Sequence, residues 1–166
     1  MTPKMIAAAF AATLISVSAS GQAFAQGDSS AESPVVKTPD RGPIEIVVWN
    51  IRRDLGHVRV EICTRFTFAN AHRTCPYHGA APARVGSVTV IVPDVPAGTY
   101  AAEIYQDEDD RNVIRRGPLG IPLEGVGFSN DAAVALTPPK FDAAAFDHQP
   151  STPVALRIKL RYFPNL

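Results

Sequence analysis

The chain has 166 residues, and residues 1–25 have the make-up of a segment that is removed, which leaves 141 for the mature protein. That length suits one domain with its own apolar core and is too short for two ordinary ones. Lysine plus arginine and aspartate plus glutamate both number 16, and Lys4 is the only charge before residue 26, so the mature chain is nearly neutral. It therefore lacks the cationic surplus with which a nucleic-acid binder displaces phosphate counterions. Fourteen of the 15 prolines follow residue 25, which argues against long helices, because an interior proline removes a donor and clashes with the preceding turn.

Lys4 precedes a 13-residue apolar run, Met5–Val17, and Ala23-Phe24-Ala25 completes the A-x-A pattern of a secretory signal peptide. The run would make ~20 Å of helix, short against a ~30 Å hydrocarbon core, so cleavage after Ala25 is expected instead of a membrane anchor. No later window has the ~18 apolar residues of a spanning helix. The predicted location is the periplasm or the extracellular space. Residues 26–43 are small, polar and proline-bearing and read as a flexible leader. A single folded domain is predicted over residues 44–166.

From Ile44 a two-residue period dominates. Ile44–Ile51 is apolar on both faces and predicts a central strand. Asp54-Leu55-Gly56 predicts the turn of a first hairpin, with Gly56 at positive φ. His57–Cys63 sets Val58, Val60 and Ile62 against Arg59 and Glu61; Ser87–Val92 alternates in the same way. Pro93–Gly98 is expected to separate two strands, after which Tyr100, Ala102 and Ile104 alternate with Glu103. The last strand is the clearest: Val154, Leu156, Ile158, Leu160 and Tyr162 lie opposite Arg157, Lys159 and Arg161. Such alternation places one face on a core and the other in water. The predicted fold is an all-β antiparallel sandwich of about seven strands, immunoglobulin- or transthyretin-like, with a loop-rich insertion from about Asp107 to Pro153. A membrane barrel fits less well, since its outward face must be apolar over ~10-residue strands and only the last strand is long enough.

Before and within that insertion the chain resembles a known family. Pro96-Ala97-Gly98-Thr99-Tyr100, Tyr105–Asp109, the block Leu119-Gly120-Ile121-Pro122-Leu123-Glu124-Gly125-Val126-Gly127-Phe128-Ser129-Asn130, and Pro138–Phe146 follow one another as in the exported bacterial proteins grouped as DUF2141. The resemblance spans roughly Ile44 to Tyr162. It implies an exported sandwich and no particular activity. Members of the family often carry a D-x-N-x-N-G-like loop after the G-x-Y strand, similar to the first half of an EF-hand calcium loop. Here Asp107 and Asp109 stand at ligand positions, but Arg111 takes the next one, a cation with no lone pair to offer. The sixth place has no glycine, and Pro118 stands at the twelfth. No cofactor is expected; Asp107 and Asp109 remain calcium candidates beside the plainer reading, a solvated acidic turn.

Cys63 and Cys75 predict a disulfide, as expected for a lone cysteine pair in an exported chain. With His72 and His78 they also have the residue types of a zinc site, although oxidation would consume the thiolates. His57, His72, His78 and His148 are the candidate neutral-pH bases, and none has a nucleophile motif around it. His148 is expected in a polar loop, and Asp142 with Asp147 is a poor match to a glycosidase pair. The glycines of residues 117–130 do not form a phosphate loop. That segment is expected to fold over one end of the sandwich on Leu119, Ile121 and Phe128. Read as function, the same loops form a binding surface, with Asp107, Asp109, Glu124, Ser129 and Asn130 as polar contacts. The expected function is a non-catalytic binding module of the cell envelope whose partner is an envelope protein or glycan. The alternatives are a structural envelope protein with a calcium site and a periplasmic hydrolase.

Overall fold

Alternation resolves into two stacked sheets in the computed structural model, which describes residues 40–70, 72–134, 137–152 and 154–163. The signal-like segment and the leader up to residue 39 lie outside the described residues. The described residues form eight strands: β1 (Arg41–Ile51), β2 (His57–Cys63), β3 (Tyr77–Pro82), β4 (Gly86–Pro96), β5 (Gly98–Asp107), β6 (Val126–Phe128), β7 (Ala145–His148) and β8 (Val154–Lys159). The smaller sheet has the order β4-β1-β8 and the larger the order β3-β2-β5-β6, with β7 also paired to β5. The inward members of each strand, among them Ile44, Ile46, Val58, Val60, Val90, Val92, Ile104 and Ile158, form one core between the sheets. Burying such side chains is the main favourable term in a fold of this size. The all-β sandwich expectation holds.

β1 lies in the centre of its sheet, as predicted, and begins three residues earlier than the predicted boundary, with Arg41 paired to Pro96. On its second face Trp49 lies under cations instead of another layer: Lys159 sits 4.8 Å and Arg157 5.8 Å from its ring. The expected first hairpin does not form. β1 pairs with β4 and β8, whereas β2 pairs with β3 and β5, so Asp54-Leu55-Gly56 carries the chain from one sheet to the other. Gly56 does take positive φ, at +61°, and a Cβ there would lie 1.9 Å from the Asp107 carbonyl oxygen. Only glycine can pass so close to that backbone.

Pairing β8 with β1 is parallel, a departure from the all-antiparallel expectation that exchange of the chain between sheets permits. Pro93 does not end a strand. β4 runs on to Pro96, with a register break opposite Gly42–Ile44 where Asp94 takes φ 56°. As an edge strand β4 can spare the missing proline donor. β3, sequence Tyr-His-Gly-Ala-Ala-Pro, escaped the periodicity because it has no β-branched residue. Within the expected insertion, β6, β7 and the short helix α1 (Phe141–Ala144) add order at the β5 edge of the larger sheet. Leu119 is 90% exposed and anchors nothing; Phe128 is buried. No helix among the described residues is long and apolar enough to cross a membrane.

Candidate binding cleft

The outward side of the larger sheet carries the site. Across it, β3, β2, β5 and β6 bring His78, Glu61, Glu103 and Phe128 into one cross-strand row, and the next row contains Arg59, Tyr105 and Val126. Directly opposed residues of neighbouring strands have Cβ atoms ~5 Å apart, and like charges there repel. Glu61 and Glu103 are such a pair, and neither makes an ion pair among the described residues.

Two walls rise around this row and leave a cavity of about 640 Å³. The first wall is the loop closed by the Cys63–Cys75 disulfide, which forms as predicted. Phe68 of this loop packs edge-on against Phe128 and Phe141, with ring centroids 5.7 and 5.8 Å away. Arg65 pairs with Asp142 on α1 and covers the Phe141 ring. At the rim Ala69 takes φ 50°, and its N–H donates to Glu103 Oε1. The second wall comes from the former insertion, with Asn112, Val113, Ile114, Arg116 and Pro122 facing the cavity.

Electrostatics of the floor follow from this enclosure. Burial pushes the Glu103 carboxyl up; the Ala69 N–H and Arg116 oppose the rise, while Glu61 adds to it. Burial also raises Glu61, against the pull of His78. Tyr105, enclosed beside them, is pushed up to about 12 by burial and by the charge of Glu61. Thr67, Asn70, Thr74 and Thr137 add neutral polar groups, and Val126, Phe128 and Val134 an apolar strip. A mixed lining of this kind, with a few polar groups fixed on a rigid sheet, suits a small organic ligand.

The residues expected as loop contacts have another task. Asp107 is fully buried: Oδ2 accepts from Arg59 Nε at 2.5 Å and Asn112 N–H at 2.8 Å, while Oδ1 accepts from Arg111 N–H at 3.0 Å. Glu124, equally buried, accepts from the N–H groups of Glu108 and Arg115. Ser129 Oγ accepts from Ala102 N–H at 2.8 Å and donates to the Ala144 carbonyl. Asn130 is exposed but donates to the Ala145 carbonyl. Asp107, Glu124 and Ser129 are therefore not a partner-facing surface. The first two hold the second wall in shape, and Ser129 ties β5 to the end of α1.

Asp107, Asp109 and Glu124 do converge, with one oxygen of each within 4.8 Å of the others. Arginines supply the positive charge there. Arg111 pairs with Asp109, and Arg115 Nε lies 3.4 Å from Glu124 and 3.8 Å from Asp109. The calcium candidates thus sit in a cluster already neutralised by guanidinium groups. His148, expected in a polar loop, ends β7 and is buried, with Nε2 3.1 Å from the Val95 carbonyl. His57 contacts Asp110 at 2.6 Å, and His72 and His78 are exposed. Asp147 accepts from Thr99 and Asp142 pairs with Arg65, so each carboxylate has a partner of its own.

Glu61 and Glu103 were legible only as the polar members of two alternating strands, a pattern that places them in water. The overlooked signal was their place in the sequence, Glu61 just before the disulfide loop that starts at Cys63 and Glu103 just before the segment after Asp107, the two elements that roof them. A two-layer β-sandwich with a walled cleft on the outer face of its larger sheet is the class of protein that this geometry defines. The chain belongs to the family described as "Uncharacterized protein conserved in bacteria (DUF2141)", whose profile matches residues 46–154, from β1 to the start of β8. No curated protein and no solved structure matches it.

Proposed function

We propose that the protein is an exported, non-catalytic binding module of the bacterial cell envelope and that its ligand is a glycan held in the Glu61–Glu103 cleft. One observation carries this reading: two half-buried carboxylates stand side by side with no ion-pair partner among the described residues, next to an apolar strip on Val126 and Phe128. A sugar ring complements both, with hydroxyl donors on its rim and C–H groups on its face. Export rests on the Lys4–Ala25 signal pattern and agrees with the disulfide.

Titration of the isotopically labelled protein with envelope oligosaccharides, followed by amide NMR, tests the assignment. The Ala69 and Glu103 amides should shift, and Glu61→Gln should weaken binding about tenfold, the loss of one charge-assisted hydrogen bond. Shifts confined to the Trp49 face of the smaller sheet would remove the cleft from consideration. The same incubations report on the hydrolase alternative: cleavage products that vanish in Glu103→Gln would make the two carboxylates acid and base.

A further inference from the structure

A second pocket, about 460 Å³, opens where the β1–β2 crossover meets the chain after β8. Arg52, Arg53 and Arg115 line it together with Glu108, Leu123 and Tyr162. Three cations line it with one carboxylate, and Arg115 Nε also lies 3.4 Å from Glu124 and 3.8 Å from Asp109 outside the lining. Glu108 Oε2 is shared, 3.2 Å from Arg53 and 3.8 Å from Arg115. Glu124 stands behind Arg115, fully buried and occupied by backbone donors. Arg52 has no ion-pair partner among the described residues, and Arg115 Nε is a buried donor without a hydrogen-bond acceptor.

The arginines are held in place from below. Buried Gln106 donates to the carbonyls of Arg53 and Leu55, at 2.9 and 3.1 Å, and accepts from the Tyr162 hydroxyl at 2.9 Å. Tyr162 in turn accepts from the Arg52 N–H, and the Arg52 guanidinium lies 4.2 Å from the centre of its ring. An amide with no exposed surface thus fixes the crossover and, through Tyr162, the stacked guanidinium. Holding like charges together in this way is unfavourable unless an anion joins them, and planar guanidinium forks match the oxygens of a tetrahedral oxyanion.

We propose that this pocket binds the phosphate group of an organic phosphate ester, with Arg52, Arg53 and Arg115 as its donors. Glu108 holds the place of the anion in the empty pocket, and Leu123 lies beside the organic portion. The site is separate from the Glu61–Glu103 cleft and does not depend on it.

Calorimetric titration of the full chain with glycerol phosphate, and sedimentation with phosphatidylglycerol against phosphatidylcholine vesicles, test the site and its source of phosphate. Saturable binding is expected, about tenfold weaker in Arg52→Gln and in Arg115→Gln and about tenfold tighter in Glu108→Gln, each the effect of one charged contact. Arg52→Gln alters an exposed side chain, so it remains informative if Arg115→Gln fails to fold. Binding to glycerol phosphate alone assigns a soluble ester, and co-sedimentation only with phosphatidylglycerol assigns a lipid headgroup. Absence of saturable binding in both arms, or binding unchanged in both arginine variants, overturns the proposal.

Discussion

Asp107→Ala should lower the unfolding free energy by about 3 kcal/mol or more, the scale for breaking one side of a buried ion pair. The Asp107 carboxylate has no exposed surface and serves Arg59 and two backbone N–H groups at once. Alanine would leave all three without their acceptor. Asp110, 3.6 Å from Arg59, compensates only in part. Burial acts to raise the Asp107 carboxyl, but the bonds from Arg59, Asn112 and Arg111 outweigh it and hold the group below its ordinary value. A carboxyl depressed by folding contributes stability above its unfolded pKa of ~4 and loses it as pH falls through the lower folded value. Urea unfolding across that range should therefore show wild type losing more stability in acid than Asp107→Ala. Equal stability of the two proteins near neutrality would mean that the wall of the cleft does not hang on this side chain.

Replacing both cysteines, Cys63→Ala with Cys75→Ala, should cost about 3 kcal/mol through the added freedom of the unfolded chain, given a sequence separation of 12. The effect should also be local. The loop contributes Thr67, Ala69, Asn70, Arg73 and Thr74 to the cleft, and its Ala69 N–H is bonded to Glu103. Hydrogen exchange at Ala69 should then accelerate beyond what the global loss accounts for, since local opening needs less free energy than unfolding. Phe68 remains anchored between Phe128 and Phe141, so the loop should loosen without detaching. Denaturation curves and Ala69 exchange identical to those of the oxidised wild type would refute this account of the wall.

Strand identity was legible wherever β-branched residues alternate with charges, as at Val58–Ile62 and Val154–Lys159, because period two with one apolar face has few other outcomes. Sheet membership was not. Asp54-Leu55-Gly56 reads as a hairpin turn by local chemistry, yet which partner β2 takes depends on contacts with Asp107 and Gln106 some fifty residues away in sequence. β3 was illegible because Gly79, Ala80 and Ala81 have neither the bulk nor the branching of a strand, and its pairing with β2 supplies the order instead. The disulfide was readable from composition. The role of the acidic residues was not: Asp107 and Glu124 look like surface ligands in a Gly/Pro-rich stretch, and only the closing of that stretch onto β5 turns them inward as acceptors for backbone N–H groups. Glu61 and Glu103 were hidden for the converse reason, since alternation reports which side of a strand faces the core and says nothing about what covers the other side.

The central claim is that the cleft keeps two neighbouring carboxylates without an ion-pair partner at the expense of stability, a device natural for a binding site. Folding raises both carboxyls, mainly by burial. A group raised in this way contributes fully below its unfolded pKa of ~4.3, and that contribution is lost as pH rises through the folded value. Thermal melting of Glu61→Gln/Glu103→Gln beside wild type, at about pH 7 and again about one unit below the ordinary glutamate pKa, measures this difference. The account predicts that the double variant melts higher near neutrality and that the gap closes in acid. A variant no more stable than wild type at neutral pH would contradict it, because the carboxylates would then be a settled part of the fold.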